Sequence, residues 1–182
     1  MSETLDRYQA IAGGFSARLN GLSEGQWSAA TPCPEWTVRD VVSHVVGVHR
    51  RINATLDGST PEEVAPDADL LAEWPAATSA VAESLADEER ASKVVNSAFG
   101  DQPFESMVGR LLCGDTLVHT WDIARATGQD ETLDPHAVAK CIEFLGPIDE
   151  AIRRPGGFGP KIDPAQAEDE QTKLLNFCGR RV

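Results

Sequence analysis

The chain has no apolar run that approaches the roughly 20 residues of a membrane-spanning helix, so no transmembrane segment is predicted. Basic residues are also scarce, since 16 lysines and arginines stand against 29 acidic residues and give a formal charge of -13. A surface this acidic repels phosphate backbones and anionic lipids. Neither nucleic acid nor a membrane is therefore an expected partner.

The N-terminus lacks the basic segment and the following apolar run that are typical of a secretory signal. The 4 cysteines form no C-x-x-C pair and are too sparse for a disulfide-stapled secreted domain. The sequence therefore predicts a reducing, cytoplasmic setting. A length of 182 residues suits a single domain over 1–182 that buries roughly 70% of the surface of the extended chain.

Apolar residues recur every three or four positions along most of the chain, which predicts an all-α fold. A first helix covers 5–22. The second begins at the capping-box pattern of Thr37 and Asp40 and continues to about Leu56. A third helix covers 71–85.

The C-terminal half of the chain contains a fourth long helix, because Pro103 can occupy its first turn and Gly128 can end it in a left-handed conformation. Local signals predict four further segments: a short strand or extended crossover at 92–100, a helix over 134–152 disturbed at 146–147, a glycine-rich loop at 154–160 and a final helix over 165–177. The prediction is a bundle of four long helices with additional short helices near the C-terminus.

Asp115 and His119 are one helical turn apart in the fourth predicted helix, in the middle of an apolar stripe. Burial of a carboxylate and an imidazole among aliphatic side chains costs several kcal/mol unless both are compensated. A divalent cation compensates both groups at once, which predicts a metal site inside the bundle. An ordinary buried ion pair between the two residues is the alternative.

A third ligand has to come from another helix, and the second predicted helix carries His44 and His49. The helical wheel places His49 near the middle of the valine stripe and His44 at its border, so periodicity slightly favours His49. A hydrogen-bonded core histidine is the alternative for His44.

Asp122 follows His119 by three residues on the same stripe, so it can hydrogen-bond a ligand or accept a proton near the metal. Its alternative is a bond to Arg125 or to helix-end amides. Trp36 and Trp121 flank the candidate residues and either line a pocket or belong to the core. Cys33 is expected to be exposed, with no basic residue close enough to activate it.

Two strings carry a resemblance to a known family: TPCPEWTVRDVVSHV at 31–45 and DTLVHTWDIARATG at 115–128. They resemble the DinB-like metal-binding family, and in particular the actinobacterial branch related to the N-terminal domain of mycothiol-dependent maleylpyruvate isomerase. The tail from 157 to 181 is similar to that branch as well, so the resemblance covers essentially the whole chain. It implies a DinB-like four-helix bundle, and a homodimer is possible.

The resemblance also implies the ligand set, in which His44 on the second helix joins Asp115 and His119. The characterised isomerase pattern has a glutamate where this chain has the shorter Asp115. Three roles of Asp115 stay open: direct ligation, binding through a water molecule, and orientation of His119.

Three nitrogen and oxygen ligands leave a position open on zinc or nickel, as in catalytic sites. The resemblance implies a thiol-dependent transferase or isomerase, in which mycothiol, or bacillithiol in related branches, attacks a small electrophile while Asp122 manages the proton. A non-catalytic metal-binding helical protein and a metal-dependent hydrolase are the alternatives. An anionic substrate would need an arginine near the metal, and the candidates are Arg39, Arg51, Arg110 and Arg125.

Overall fold

A computed structural model describes residues 2–97, 100–153, 158–163 and 169–182, and helices dominate it, as predicted. The α-helices are α1 (Glu3–Asn20), α2 (Val38–Ala54), α3 (Leu70–Ala86), α4 (Glu88–Ser92), α5 (Phe104–Met107), α6 (Cys113–Thr127), α7 (Pro135–Leu145) and α8 (Glu170–Phe177). Strands β1 (Val94–Val95) and β2 (Gln102–Pro103) pair antiparallel. Within these described ranges, no helix has both the length and the apolar character that crossing a bilayer requires.

The four long helices form the predicted bundle. Helix α1 packs against α3 and α6, and α2 packs against the same two helices, so that α2 and α6 are neighbours. Helix α7 covers α6, and α8 packs on α7. The core contains large, fully buried side chains from several of these elements, including Tyr8, Phe15, Phe104, Leu112, Trp121, Ile123, Leu145 and Leu174. The contact between α2 and α6 is the one that brings the candidate residues together.

Local capping signals fix the helix ends where they were predicted. The Thr37 hydroxyl accepts a hydrogen bond from the Asp40 amide at 3.3 Å, and the Asp40 carboxylate accepts one from the Thr37 amide at 2.8 Å. Gly128 ends α6 with a left-handed φ of 69°. Asp134 caps α7 through the Ala137 amide at 2.7 Å, directly before a proline in the first turn.

The structure corrects two predicted helices. The helix predicted over 134–152 ends at Leu145, and short 3-10 turns follow at Gly146–Ile148 and Ala151–Arg153. Pro147 has no amide proton to donate, so the disturbance predicted at 146–147 ends the α-helix. The helix predicted over 103–128 is interrupted by a π-helical turn, Val108–Leu112, between α5 and α6.

Three other predicted segments are partly described. The extended segment predicted at 92–100 contains β1, while 98–99 lie outside the described residues. The last predicted helix is α8, which begins at Glu170. The part predicted over 165–168 lies outside the described residues, as do 154–157 of the glycine-rich loop.

His49 is a buried histidine that faces the core rather than α6. Its ring centroid lies 4.8 Å from that of Trp74 and 5.9 Å from that of Tyr8. Its Nδ1–H donates a hydrogen bond to the Val45 carbonyl at 2.8 Å. Burial lowers the pKa of His49 from 6.5 to about 4, so the ring is neutral in the folded protein at neutral pH.

His49 makes stability depend on pH, because the unfolded chain binds its proton more tightly than the folded one. The contribution of neutral His49 is complete above its ordinary pKa of 6.5 and is lost as the pH falls towards about 4. When the pH is lowered from 7 to 5, the unfolding free energy of the wild type should fall. In His49→Leu we expect this fall to be about 2 kcal/mol smaller. Urea unfolding at both pH values measures it, with exposed His136→Leu as the control. An unchanged pH dependence in His49→Leu would contradict the assignment.

Candidate metal centre

His44, Asp115 and His119 meet where α2 packs against α6. The Nε2 atom of His44 lies 3.2 Å from Oδ1 of Asp115, and Nε2 of His119 lies 3.6 Å from the same oxygen. The two imidazole centroids are 5.0 Å apart. One donor atom from each residue lies within 4.8 Å of the other two. Since zinc–nitrogen bonds are about 2.1 Å long, these atoms can share one ion after small adjustments of their side chains.

The cluster is open on one side and closed on the other. The side chains of His44 and Asp115 are 23% and 22% exposed, whereas that of His119 is 6% exposed. The second oxygen of Asp115, Oδ2, is buried and has no hydrogen-bond partner within the described segments. A buried carboxylate oxygen without a partner is costly, and a cation satisfies it. Two imidazoles and a carboxylate are donors that suit zinc or nickel, so the residues present fit such an ion.

The electrostatics of the cluster favour an added positive charge. Burial raises the pKa of Asp115, but His119 and His44 outweigh burial and hold this pKa well below its usual value. For His119, burial lowers the pKa, whereas Asp115 and Asp122 together raise it well above its ordinary value. A proton on the imidazole or a metal ion can supply the charge that the carboxylates attract, so the ion-pair alternative uses the same contacts.

Asp122 fixes the other nitrogen of His119. The Nδ1–H of His119 donates a hydrogen bond to Oδ2 of Asp122 at 2.9 Å, which leaves Nε2 facing Asp115. This bond is one of the roles predicted for Asp122. Arg125, the alternative partner, instead pairs with Glu131 at 3.3 Å. Burial raises the pKa of Asp122, but the hydrogen bonds from His119 and Arg180 outweigh burial and lower it to about 2.

Arg180 is part of the site although the sequence patterns did not place it there. Its Nη2 lies 2.7 Å from Oδ2 of Asp122, and its Nε lies 3.1 Å from Oδ1. The same Nη2 is 2.9 Å from the sulfur of Cys33, which lies 147 positions away in the chain. The resemblance of the tail was the single sequence signal that included Arg180.

The prediction of an exposed Cys33 without a basic neighbour is wrong. Cys33 is buried, and its sulfur lies 3.3 Å from Oδ2 of Asp122 and 4.0 Å from Nδ1 of His119. The guanidinium of Arg180 is in contact with it because the C-terminal segment folds back against α6 and the turn at 33–36. Because the two residues lie far apart in the sequence, no local pattern indicated this contact.

Trp36 lines the candidate site, whereas Trp121 belongs to the core. The Trp36 ring centroid is 4.9 Å from that of His44 and 6.1 Å from that of His119. Trp121 is fully buried, with the Arg125 guanidinium 4.9 Å from its ring centroid. The Trp36 ring therefore covers one face of the two histidines.

The turn that carries Cys33 and Trp36 is strained. The Trp36 amide donates to the Cys33 carbonyl at 3.1 Å, which closes a turn with Pro34 and Glu35 in its middle. Glu35 has a φ of 67°, a left-handed conformation that glycine adopts freely. Such a conformation in another residue costs on the order of 1 kcal/mol and is often found at functional sites.

We expect Glu35→Gly to raise the free energy of unfolding by up to about 1 kcal/mol, because glycine removes this strain. Glu63→Gly, at a loop position without a positive φ, is the matched control and should not raise it. Urea denaturation of both variants at pH 7 provides the comparison. A Glu35→Gly protein less stable than the wild type would show that the turn is not strained.

None of the contacts described for the four arginines proposed as partners of an anionic substrate involves His44, Asp115 or His119. Arg39 donates to the Pro66 and Ala68 carbonyls, and Arg125 pairs with Glu131. Arg51 lies beside Gly47, and Arg110 lines a surface depression of about 320 Å³ next to Phe144. Arg180 instead binds Asp122, which in turn accepts the hydrogen bond of His119 on the closed side of the cluster.

Comparisons with known proteins bear on this cluster. The family described as mycothiol maleylpyruvate isomerase N-terminal domain matches residues 8–124, a range that contains His44, Asp115 and His119 but not Arg180. Two curated relatives, each described as an uncharacterized protein of Mycobacterium tuberculosis (strains CDC 1551 / Oshkosh and ATCC 25618 / H37Rv), are 30% identical over 182 residues. The alignment covers 99% of this chain and 99% of each relative. No solved structure matches the chain significantly.

Proposed function

Because the chain belongs to the family of mycothiol maleylpyruvate isomerase N-terminal domains, we propose that it binds a divalent cation, zinc or nickel, through His44, Asp115 and His119. We further propose a thiol-dependent transferase or isomerase activity on a small electrophile, with mycothiol as the cosubstrate. The observation that carries the proposal is the convergence of three donors within 4.8 Å. The unpaired buried oxygen of Asp115 supports it.

The charge of the ligand set suits a thiolate. A divalent ion held by His44, Asp115 and His119 would lower the pKa of a thiol bound to it, so that thiolate would be present near neutral pH. Asp115 contributes the single negative charge among the three ligands, and the charge of Asp122 is balanced by Arg180. With these residues as its ligands, a divalent ion would therefore keep excess positive charge, which would favour an anionic partner such as a thiolate.

The exposure of the site residues determines the side from which a small thiol and its electrophile can approach. His44 and Asp115 form the exposed side, where a small thiol and its electrophile can enter and where water can take up the thiol proton. Trp36 covers the histidine rings and limits access from its own side. The His119 side chain is buried, and its hydrogen bond to Asp122 fixes its orientation.

Asp122 serves the proposed site by orienting His119. At a pKa of about 2, its carboxylate is a weak proton acceptor at neutral pH, so the hydrogen bond to Nδ1 is its stronger contribution. A cytoplasmic location, as predicted from the cysteines, is part of the proposal because small thiols stay reduced there. The homodimer that the resemblance made possible stays a prediction.

A panel of small electrophiles, incubated with metal-loaded protein in the presence and absence of mycothiol, tests the proposed reaction. We expect consumption of an electrophile only when thiol and metal are both present, and loss of that consumption in His44→Ala. Exposed His136→Ala is the control. Thiol-independent cleavage would indicate a hydrolase instead, and metal binding without any turnover would indicate a non-catalytic metal-binding protein.

A further inference from the structure

His119 lies between two groups of potential metal ligands. Its Nε2 faces His44 and Asp115, and its Nδ1 faces Cys33 and Asp122. The donor atoms of Cys33, Asp122 and His119 also lie within 4.8 Å of one another, and all three residues are buried. A thiolate, a carboxylate and an imidazole form a donor set that zinc accepts. Geometry alone therefore allows a cation on either side of the imidazole ring.

The guanidinium of Arg180 already occupies the Nδ1 side. It binds both oxygens of Asp122, and its Nη2 also contacts the sulfur of Cys33 at 2.9 Å. The side chains of Arg180 and Asp122 are 9% and 0% exposed. A metal ion beside this guanidinium would face a like charge at close range with little screening by water.

The C-terminal segment holds Arg180 in this position. Gly179 has a φ of 80°, and a Cβ added there would lie 2.9 Å from the Pro160 carbonyl oxygen. The Arg180 amide donates to the Leu175 carbonyl at 2.8 Å, and its Nη1 donates to the Cys178 carbonyl at 2.9 Å. Both the backbone and the guanidinium are thereby fixed at the end of α8.

We propose that Arg180 acts as a built-in cation that fills the Cys33–Asp122–His119 group. By doing so it keeps the Nδ1–H of His119 directed at Asp122 and restricts a metal ion to the Nε2 side of the ring. Arg180 is thus a positioning residue that determines where an ion binds and keeps the Cys33 sulfur from becoming a ligand. The inference rests on the proposed function only for the ion on the Nε2 side.

Cobalt(II) tests this proposal because thiolate ligation gives it an intense charge-transfer band in the near ultraviolet. We expect Arg180→Met, which removes the charge but keeps an unbranched side chain, to gain this band on titration with cobalt. Cys33→Ser in the same background should abolish it. The wild type should bind cobalt without the band, as should Arg180→Lys, which keeps a cation, and Arg181→Met at the exposed neighbouring position.

The outcomes separate this proposal from the proposed function. A thiolate band in the wild type or in Arg180→Lys, or its absence in a folded Arg180→Met protein, overturns the role of Arg180. If Arg180→Met does not fold, the spectra of the wild type and Arg180→Lys still decide. A wild type that binds no cobalt contradicts the proposed metal site, whereas a Cys33-dependent band in Arg180→Met would still support the role of Arg180. A purely structural role for Arg180 predicts no such band.

Discussion

Replacement of His119 by alanine is expected to reduce bound metal to near zero. His119 is the most buried of the three donors, and its Nε2 faces Oδ1 of Asp115 at 3.6 Å. Its loss leaves two ligands from two helices. Partners outside the coordination shell typically change metal affinity by about 10–100-fold, and loss of a direct ligand should exceed that. Equilibrium dialysis followed by elemental analysis gives the stoichiometry.

His136→Ala is the matched control for this experiment, because His136 is an exposed histidine in the first turn of α7. It should bind as much metal as the wild type. Circular dichroism of His119→Ala establishes that the helices have formed, so that a loss of metal cannot be attributed to unfolding. A folded His119→Ala protein with unchanged stoichiometry would reject His119 as a ligand.

Asp122→Ala is expected to destabilise the protein by about 3–5 kcal/mol, the range for breaking a buried ion pair by removal of one partner. The substitution leaves the Arg180 guanidinium buried without its carboxylate, and it also removes the acceptor of the His119 Nδ1–H. Urea unfolding at pH 7 measures the difference. A loss below about 1 kcal/mol would contradict a stabilising role for the buried bonds of Asp122 with Arg180 and His119.

The double variant Asp122→Ala/Arg180→Met separates the buried charge from the lost packing. Because both charges are then absent, we expect it to be more stable than Asp122→Ala alone. The double-mutant cycle gives the coupling energy between the two side chains. Equal stability of the single and double variants would show that the unpaired guanidinium is not the cause.

Local chemistry made the helix ends predictable from the sequence. The reciprocal bonds of Thr37 and Asp40, the left-handed Gly128 and the cap at Asp134 each depend on residues a few positions apart, and all are found in the structure. The π-helical turn at Val108–Leu112 was not predicted, because the apolar periodicity continues through it. A single extra residue in one turn leaves no composition signal.

The candidate site was predictable only in part. The spacing of Asp115 and His119 on one helix is a local property, but the choice between His44 and His49 depends on which neighbour each one faces. The wheel favoured His49 because it lies in the middle of the stripe, and that position points to Tyr8 and Trp74 in the core. His44 lies at the border of the stripe, where α2 meets α6, and the resemblance favoured it.

The contact between Cys33 and Arg180 could not be predicted from local sequence patterns. Their contact joins positions 147 residues apart, and it depends on the C-terminal segment folding back against α6. No periodicity or spacing relates such residues. The buried pair of Arg180 and Asp122 is therefore a feature of tertiary structure, although it sets the orientation of a residue that the sequence singled out.

Elemental analysis of wild-type protein purified without chelator and without added metal tests the central claim most directly. If His44, Asp115 and His119 form a metal site, the protein should carry close to one equivalent of zinc or nickel per chain, and removal of the ion should lower its melting temperature. A protein that contains no metal, takes up none on titration with zinc or nickel and melts at the same temperature with or without chelator would contradict the claim. The cluster would then be the buried ion pair that its charges also allow.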